Sequence, residues 1–449
     1  MSSLALAPLV PGWALVGTAV SPADTAWMLV ASALVLLMTP ALAFFYGGLV
    51  RAKNALNTMM MSVAALGVAG IAWAVVGYSL AFAPGSGGGA LVGGLDHLFL
   101  RGVGLEAKGA LPHLLFFAYQ GTFAIITAAL ISGAVVERMR FGAYLAFIGA
   151  WSLVVYAPVA HWVWGGGWLA RLGALDFAGG TVVHVNAAAA AFVAALVVGP
   201  RRDYGRQALL PHNIPFVVLG AGLLWFGWFG FNAGSALAAN GTAALAFTNT
   251  LLAPAATLLV WMLLDQLRSR RTTAVGAATG MVVGLVAVTP AAGYVGPMSA
   301  ILLGGIAALP SYGAILLRAR TALDDSLDVV AAHGVGGTTG ALLTGAFASA
   351  AWGGTDGAFF GAPRQLLFQA VAVAAVALYS AGASFVLLRV LALATALRPA
   401  ERAEGMGLDQ EEHGEEAYTT GEGAILVLPN EALPDADRAP ANVPMPAPA

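Results

Sequence analysis

Eleven stretches of this chain are nearly free of charge and long enough to cross a lipid bilayer, and that pattern limits its folds more than any other feature. A spanning helix needs roughly 20 mostly apolar residues. The stretches fall at 25–48, 55–82, 112–135, 141–162, 177–199, 213–234, 247–267, 274–292, 298–317, 329–349 and 366–393. The fold class expected is therefore an all-α integral membrane protein with eleven transmembrane helices.

Composition agrees. Of 449 residues, 59% are hydrophobic and 9% charged, against about 25% charged in a soluble domain. A net charge of -2 gives no basic field for nucleic acid. The absence of cysteine rules out disulfides, thiolate metal sites and cysteine nucleophiles. Orientation follows from the loops, because cytoplasmic loops collect Lys and Arg. Sixteen of the 20 basic residues fall on one side of the alternating stretches, and Arg101, Lys108, Arg171 and Arg364 on the other. The N-terminus is expected outside and the C-terminus in the cytoplasm, in a multi-pass protein of the cell membrane.

Eleven divides into five, five and one. Five is odd, so consecutive halves at about 24–205 and 206–350 would be inverted repeats, followed by a last helix at 366–393 and a polar tail over 398–449. Inverted repeats put the substrate path near the midplane between them. Residues 1–23 read as an extracellular segment or a cleaved signal peptide; the apolar run Leu4 to Val20 is interrupted by prolines at 8, 11 and 22, and no basic residue precedes it.

An ionisable group in hydrocarbon faces a cavity or a partner. His184 and His333 lie within apolar stretches, each in the fifth helix of its half, and each follows an aspartate, Asp176 and Asp328. Eight helical residues cover ~12 Å of a core about 30 Å thick. Asp176 is thus expected near the outer mouth and His184 near mid-depth. His333 reaches that depth only if Asp328 is itself inside the membrane. His97, His113, His212 and His413 read as solvated and His161 as interfacial. Tyr119 and Phe123 share a helix face at a spacing of four, as do Phe231 and Ser235.

These residues together resemble the Amt/Mep/Rh ammonium transporters, in particular the Amt branch. The resemblance runs from about Asp24 to Tyr418. It is carried by Phe44-Phe-Tyr-Gly-Gly-Leu-Val-Arg51, Gln120-Gly-Thr-Phe123, Glu137-Arg-Met-Arg-Phe141, Trp164-Gly-Gly-Gly, Asp176-Phe-Ala-Gly-Gly-Thr-Val-Val-His184, Trp228-Phe-Gly-Phe-Asn-Ala-Gly-Ser235, Thr289-Pro-Ala-Ala-Gly-Tyr-Val295 and the run from Asp328 to Gly337. It implies a homotrimer in the lipid bilayer with a pore in each subunit, carrying ammonium or ammonia. It assigns Phe123, Trp164 and Ser235 to an outer cation site supported by Asp176, Phe123 and Phe231 to a stacked gate with Tyr119 beside it, and His184 and His333 to the pore. Two departures stand out. Val330-Ala-Ala precedes the second histidine where the family often has Phe-Gly-Val, and Tyr119 stands where Phe is common.

The tail segment with Gly405, Leu408, Asp409, His413, Gly414 and Tyr418 resembles the family's cytoplasmic regulatory region. That region couples subunits, and in many bacteria a PII-type signal protein docks beside it. From about 424 the Pro- and Ala-rich sequence reads as disordered. No nucleophile, metal cluster or cofactor motif is present, so no enzyme, cofactor or metal is expected. The rival readings are an ammonium sensor with little flux and an electroneutral Rh-type ammonia channel.

Overall fold

The computed structural model describes residues 19–84 and 89–418. Most of the segment 1–23 and the tail beyond 418, including the stretch read as disordered, lie outside the described residues. Among those described, nine helices are long and apolar enough to span a membrane: Pro22–Leu49, Ala52–Phe82, His113–Ala134, Phe141–Leu172, Gly180–Val198, Ile214–Gly234, Gly241–Ser269, Pro297–Arg318 and Arg364–Ala394. The other two stretches are helical as well. Ala274–Val288 has 15 residues, and the last before the final helix is built from Val330–Val335 and Gly336–Phe347.

An all-helical reading missed one small element. Ala107–Lys108 pairs antiparallel with Leu111–Pro112 in the loop between Ala52–Phe82 and His113–Ala134. Gly109, at φ +65°, supplies the turn that makes this two-residue ribbon.

The first helices of the two halves lie directly against each other. Their crossing depends on small residues in Ile214–Gly234. A Cβ at Gly227 would sit 2.7 Å from the Leu34 carbonyl oxygen, and one at Gly230 2.7 Å from that of Ala31. Close backbone approach of this kind is how membrane helices gain packing without a hydrophobic drive between them. The fifth helices also meet, since a Cβ at Gly337 would lie 3.1 Å from both the Gly180 oxygen and His184 Cβ. Pro22–Leu49 thus packs on Ile214–Gly234, and the segment bearing His184 on the one bearing His333. Large apolar side chains remain on the outer faces, with Leu259 68%, Leu378 74% and Leu393 88% exposed.

A buried ionic network ties one end of the bundle. Arg201 bonds both Asp324 oxygens at 2.8–2.9 Å and Glu137 at 2.7 Å, and Glu137 also takes Arg51 at 2.9 Å. Burial opposes their charge, yet the guanidiniums of Arg201 and Arg51 hold Glu137, and those of Arg201 and Arg138 hold Asp324, below the usual carboxylate range. Residues far apart in the chain, from Arg51 to Asp324, thus close on one another at this end.

Candidate functional site

The segment bearing His184 starts with a sharp turn. Gly179 adopts φ +119°, and Gly180–Val185 then winds as a wide π-helical turn. Asp176 makes that turn possible. Its carboxylate accepts from the N–H groups of Gly179 (2.8 Å), Gly180 (2.6 Å), Thr181 (2.8 Å) and Val182 (3.0 Å), and from the Thr181 hydroxyl. These are the orphan donors of a helix start. With its oxygens so occupied, Asp176 fixes the backbone that leads into His184. Its own carbonyl accepts the Trp164 indole N–H at 3.0 Å, which ties the glycine-broken segment at 164–167 to the same turn.

His333 sits in a second π-helical turn, Val330–Val335. Such turns cluster at functional sites. The two rings meet, with Nδ1 to Nδ1 at 3.2 Å and centroids 5.2 Å apart at 30°. The aspartate that matches Asp176 is not Asp328. Asp328 takes φ +58° and turns to Arg318, whose Nε donates to it at 2.6 Å, and it lines the cavity at this end. Asp325, eight residues before His333 as Asp176 is before His184, is the fully buried cap and accepts the Val330 N–H at 2.7 Å.

Above the histidines the aromatic residues form a plug. Phe123 stacks on Phe231 with centroids 4.2 Å apart, and Trp164 stands edge-on to Phe123 at 5.8 Å. The Tyr119 ring lies 5.0 Å from Phe123, and its hydroxyl sits 3.0 Å from the Phe231 carbonyl and 3.3 Å from Ser235 Oγ. Ser235 Oγ donates to the Phe231 carbonyl at 2.9 Å, which leaves its lone pairs free to accept. Phe123 and Phe231 are sealed from solvent, while Trp164 and Ser235 are partly open.

Below the plug lies a space of about 10 Å³ lined by Leu42, Ile126, His184, Trp228, Phe231 and His333. That is room for about one water molecule. His184 Nε2 is buried and has no partner among the described residues. Beyond His333 the path widens into a cavity of about 420 Å³ that also reaches Arg201, Tyr204, Arg318 and Asp328.

A model of the Ammonium Transporter Family matches residues 26–418. The chain belongs to that family. An ammonium transporter of Aquifex aeolicus is 50% identical over 399 residues, covering 88% of this chain and 93% of the relative. The crystal structure of Candida albicans Mep2 superposes with a TM-score of 0.78 at 38% identity, over 83% of this chain and 84% of that one. A structure titled Sensor Amt Protein gives 0.81 at 29% identity, over 87% and 98%.

In this ammonium transporter the tail folds back onto the helices. Asp409 accepts the N–H groups of Asn57 (2.8 Å) and Leu56 (3.1 Å), capping the helix Ala55–Ala72. Leu408 N–H donates to Asn54, and the Lys53 ammonium donates to the Gly405 carbonyl. His413 packs on Phe141 and bonds Asn57 at 3.1 Å. Gly414 ends the last short helix at φ +67°, and Tyr418 meets His212 and Asn213 at 3.0 and 3.2 Å.

Four histidines read as solvated are held instead. His113 is buried between Tyr78 (2.6 Å) and Glu106 (3.2 Å), and His97 stacks on Tyr78. His212 and His413 hold the tail. His161 is buried with its two ring nitrogens 2.9 and 2.7 Å from the carbonyls of Ala81 and Gly89. The sequence reading also passed over Trp228, which stacks on His184 at 5.4 Å and donates to Thr289 at 2.8 Å. Its spacing of three from Phe231 could have shown it.

Proposed function

We propose that the protein recruits ammonium at Phe123, Trp164 and Ser235, removes its proton near that site, and conducts ammonia past His184 and His333 while the proton passes separately. Transport of ammonium across the cell membrane is the family's activity, and this multi-pass protein carries it. The relatives are transporters, and the site is read as a path for solute with no catalytic group.

One observation carries the mechanism: two buried imidazoles bonded Nδ1 to Nδ1 at the end of a narrow, mostly apolar constriction. A neutral imidazole has one donor and one acceptor nitrogen. If one ring donates from Nδ1, its Nε2 is an acceptor, and its partner's Nε2 then carries a hydrogen. The pair therefore offers ammonia an acceptor and a donor in succession. The constriction imposes a heavy desolvation cost on any cation. Ammonium escapes that cost by losing its proton, which potassium cannot do. The aromatic faces of Phe123 and Trp164 attract a cation first, and Ser235 accepts a hydrogen bond that only ammonium can give. Asp176 supports this site through the backbone it caps.

The wider assembly follows the same reading: eleven spanning helices, N-terminus outside, C-terminus cytoplasmic, three copies in the membrane, and a PII-type signal protein on the cytoplasmic face. The ionic network supports the count. For Arg51, Glu137, Arg201 and Asp324 to meet at one end, each intervening pair of helices must cross and return. The tail residues Gly405, Leu408, Asp409, His413, Gly414 and Tyr418 are proposed as the regulatory element.

The likeness to a sensor-type Amt structure gives a second reading, in which the same site binds ammonium with little flux. Ammonium-evoked currents in proteoliposomes decide between them. Transport predicts sustained current that falls in His184→Ala and His333→Ala. A sensor predicts none beyond a binding transient.

A further inference from the structure

The two histidine segments are built alike but capped differently. Asp176 has four N–H groups and a hydroxyl on its oxygens. Asp325 is 0% exposed, and its Oδ2 accepts from Val330, but its Oδ1 is buried without a partner among the described residues. A carboxylate with a bare buried oxygen is costly, whereas a neutral acid needs no counter-charge.

The charges around Asp325 are already committed. Arg318 from the helix Pro297–Arg318 is paired with Asp328 at 2.6 Å. Arg201 holds Glu137 and Asp324. Arg138 bonds Ser326 and the Asp324 carbonyl. Tyr46, on the first helix, donates to the Leu130 carbonyl. Among the described residues no cation forms an ion pair with Asp325; Arg318 and Arg138 act on it only through space, with their hydrogen bonds spent elsewhere. Burial, and then the Asp328 carboxylate beside it, push its carboxyl up to about 7. Tyr46, Arg318, Ser326 and Asp328, which surround it, line the same cavity as His333.

We propose that Asp325 is a proton-holding residue of the inner half, which gives its proton to the cytoplasmic cavity and is reloaded with the proton that leaves His333. This rests on the reading that ammonia and proton pass separately. The step balances. The acid loses H⁺ to cavity water and becomes a carboxylate. The proton that ammonium gives up at the outer site reaches His333 through His184 and makes it an imidazolium; that ring then releases H⁺ through the same water and returns to imidazole, and the carboxylate becomes an acid again. Each turn moves one proton from pore to cytoplasm, with water as the only carrier. Asp176, fully bonded, has no such freedom. The paired aspartates would then divide the work, one fixing backbone and the other holding a proton.

The test uses the full chain in proteoliposomes, with current and internal pH recorded together for wild type, Asp325→Asn and Asp325→Glu. In D325N, which keeps the cap and removes the proton, ammonia entry should stay within about twofold while current falls at least about tenfold. D325E should restore most of the current with a shifted pH midpoint. A wild-type current in D325N overturns the proposal, and so does parallel loss of current and ammonia entry in both variants. Infrared spectra add a check that does not need D325N to fold. The carbonyl stretch of a protonated carboxylic acid should be present in wild type and move in D325E, and its absence overturns the proposal. A wild-type protein that moves ammonia without current fails the separate-passage reading itself, an outcome the variants cannot imitate.

Discussion

His184 and His333 face each other through the same ring nitrogen, Nδ1 to Nδ1 at 3.2 Å, although 149 residues separate them in the chain. One shared hydrogen bond means that either ring alone cannot keep the alternation of acceptor and donor along the path. Replacing either with Ala should lower ammonium current at least about tenfold. The double variant should be little worse than either single one, because residues in one bonded unit do not add. Currents that multiply in the double variant would show two independent sites.

Asp176 predicts a loss of stability as well as of transport. Asp176→Asn is nearly isosteric, but its amide nitrogen would point hydrogens at N–H donors. Hydrogen bonds to a charged group contribute ~1.5–3 kcal/mol each, and two would be lost, so a drop of about 3 kcal/mol or more is expected. Thermal unfolding followed by tryptophan fluorescence measures it. Wild-type stability in D176N would mean that the turn holds without its cap.

The tail should come loose when its cap residue goes. Asp409→Ala removes two acceptors from the start of the helix Ala55–Ala72, a change of roughly 0.5–2 kcal/mol for an N-cap. Limited proteolysis should then cleave within 398–418 several times faster, with the membrane helices still intact. Gly407→Ala should do the same by another route, since φ is +128° and the new Cβ would lie 2.5 Å from the Lys53 carbonyl. Equal cleavage in all three proteins would dissociate these contacts from docking.

The loop before His113–Ala134 carries a pH-dependent amine. Burial pushes Lys108 down to about 8, below the ~10.4 of a free lysine. Its Nζ lies 4.8 Å from the centre of the Phe116 ring and donates to Tyr78 at 3.1 Å. Below pH 8 the group is charged and unreactive, and above it the neutral amine dominates. Acylation read by peptide mapping should rise with a midpoint near 8 at Lys108. A midpoint above 10 would place this side chain in open solvent.

The sequence made the helices legible because each apolar stretch is long and the basic loops alternate. It also pointed to His184 and His333, since a histidine in hydrocarbon stands out. It was silent on which side of each helix faces the path. The helices are apolar all round, so no stripe marks a buried face, and Trp228 was lost among its aromatic neighbours. Asp325 was passed over for Asp328 because sequence shows proximity, whereas φ +58° at Asp328 sends that side chain to Arg318. His113 and His212 stand at helix ends, where sequence suggests water and the structure supplies partners.

The cap on the helix Ala55–Ala72 also sets a clock on biogenesis. Asn57 N–H and the Asp409 that receives it are separated by 352 residues. At the ~5–20 residues per second of synthesis, that interval is roughly 20–70 s. Throughout it the second helix is in place with its N-terminal end unfinished. A nascent chain truncated before Asp409 would carry the whole path and still lack the piece that completes one of its earliest-made helices.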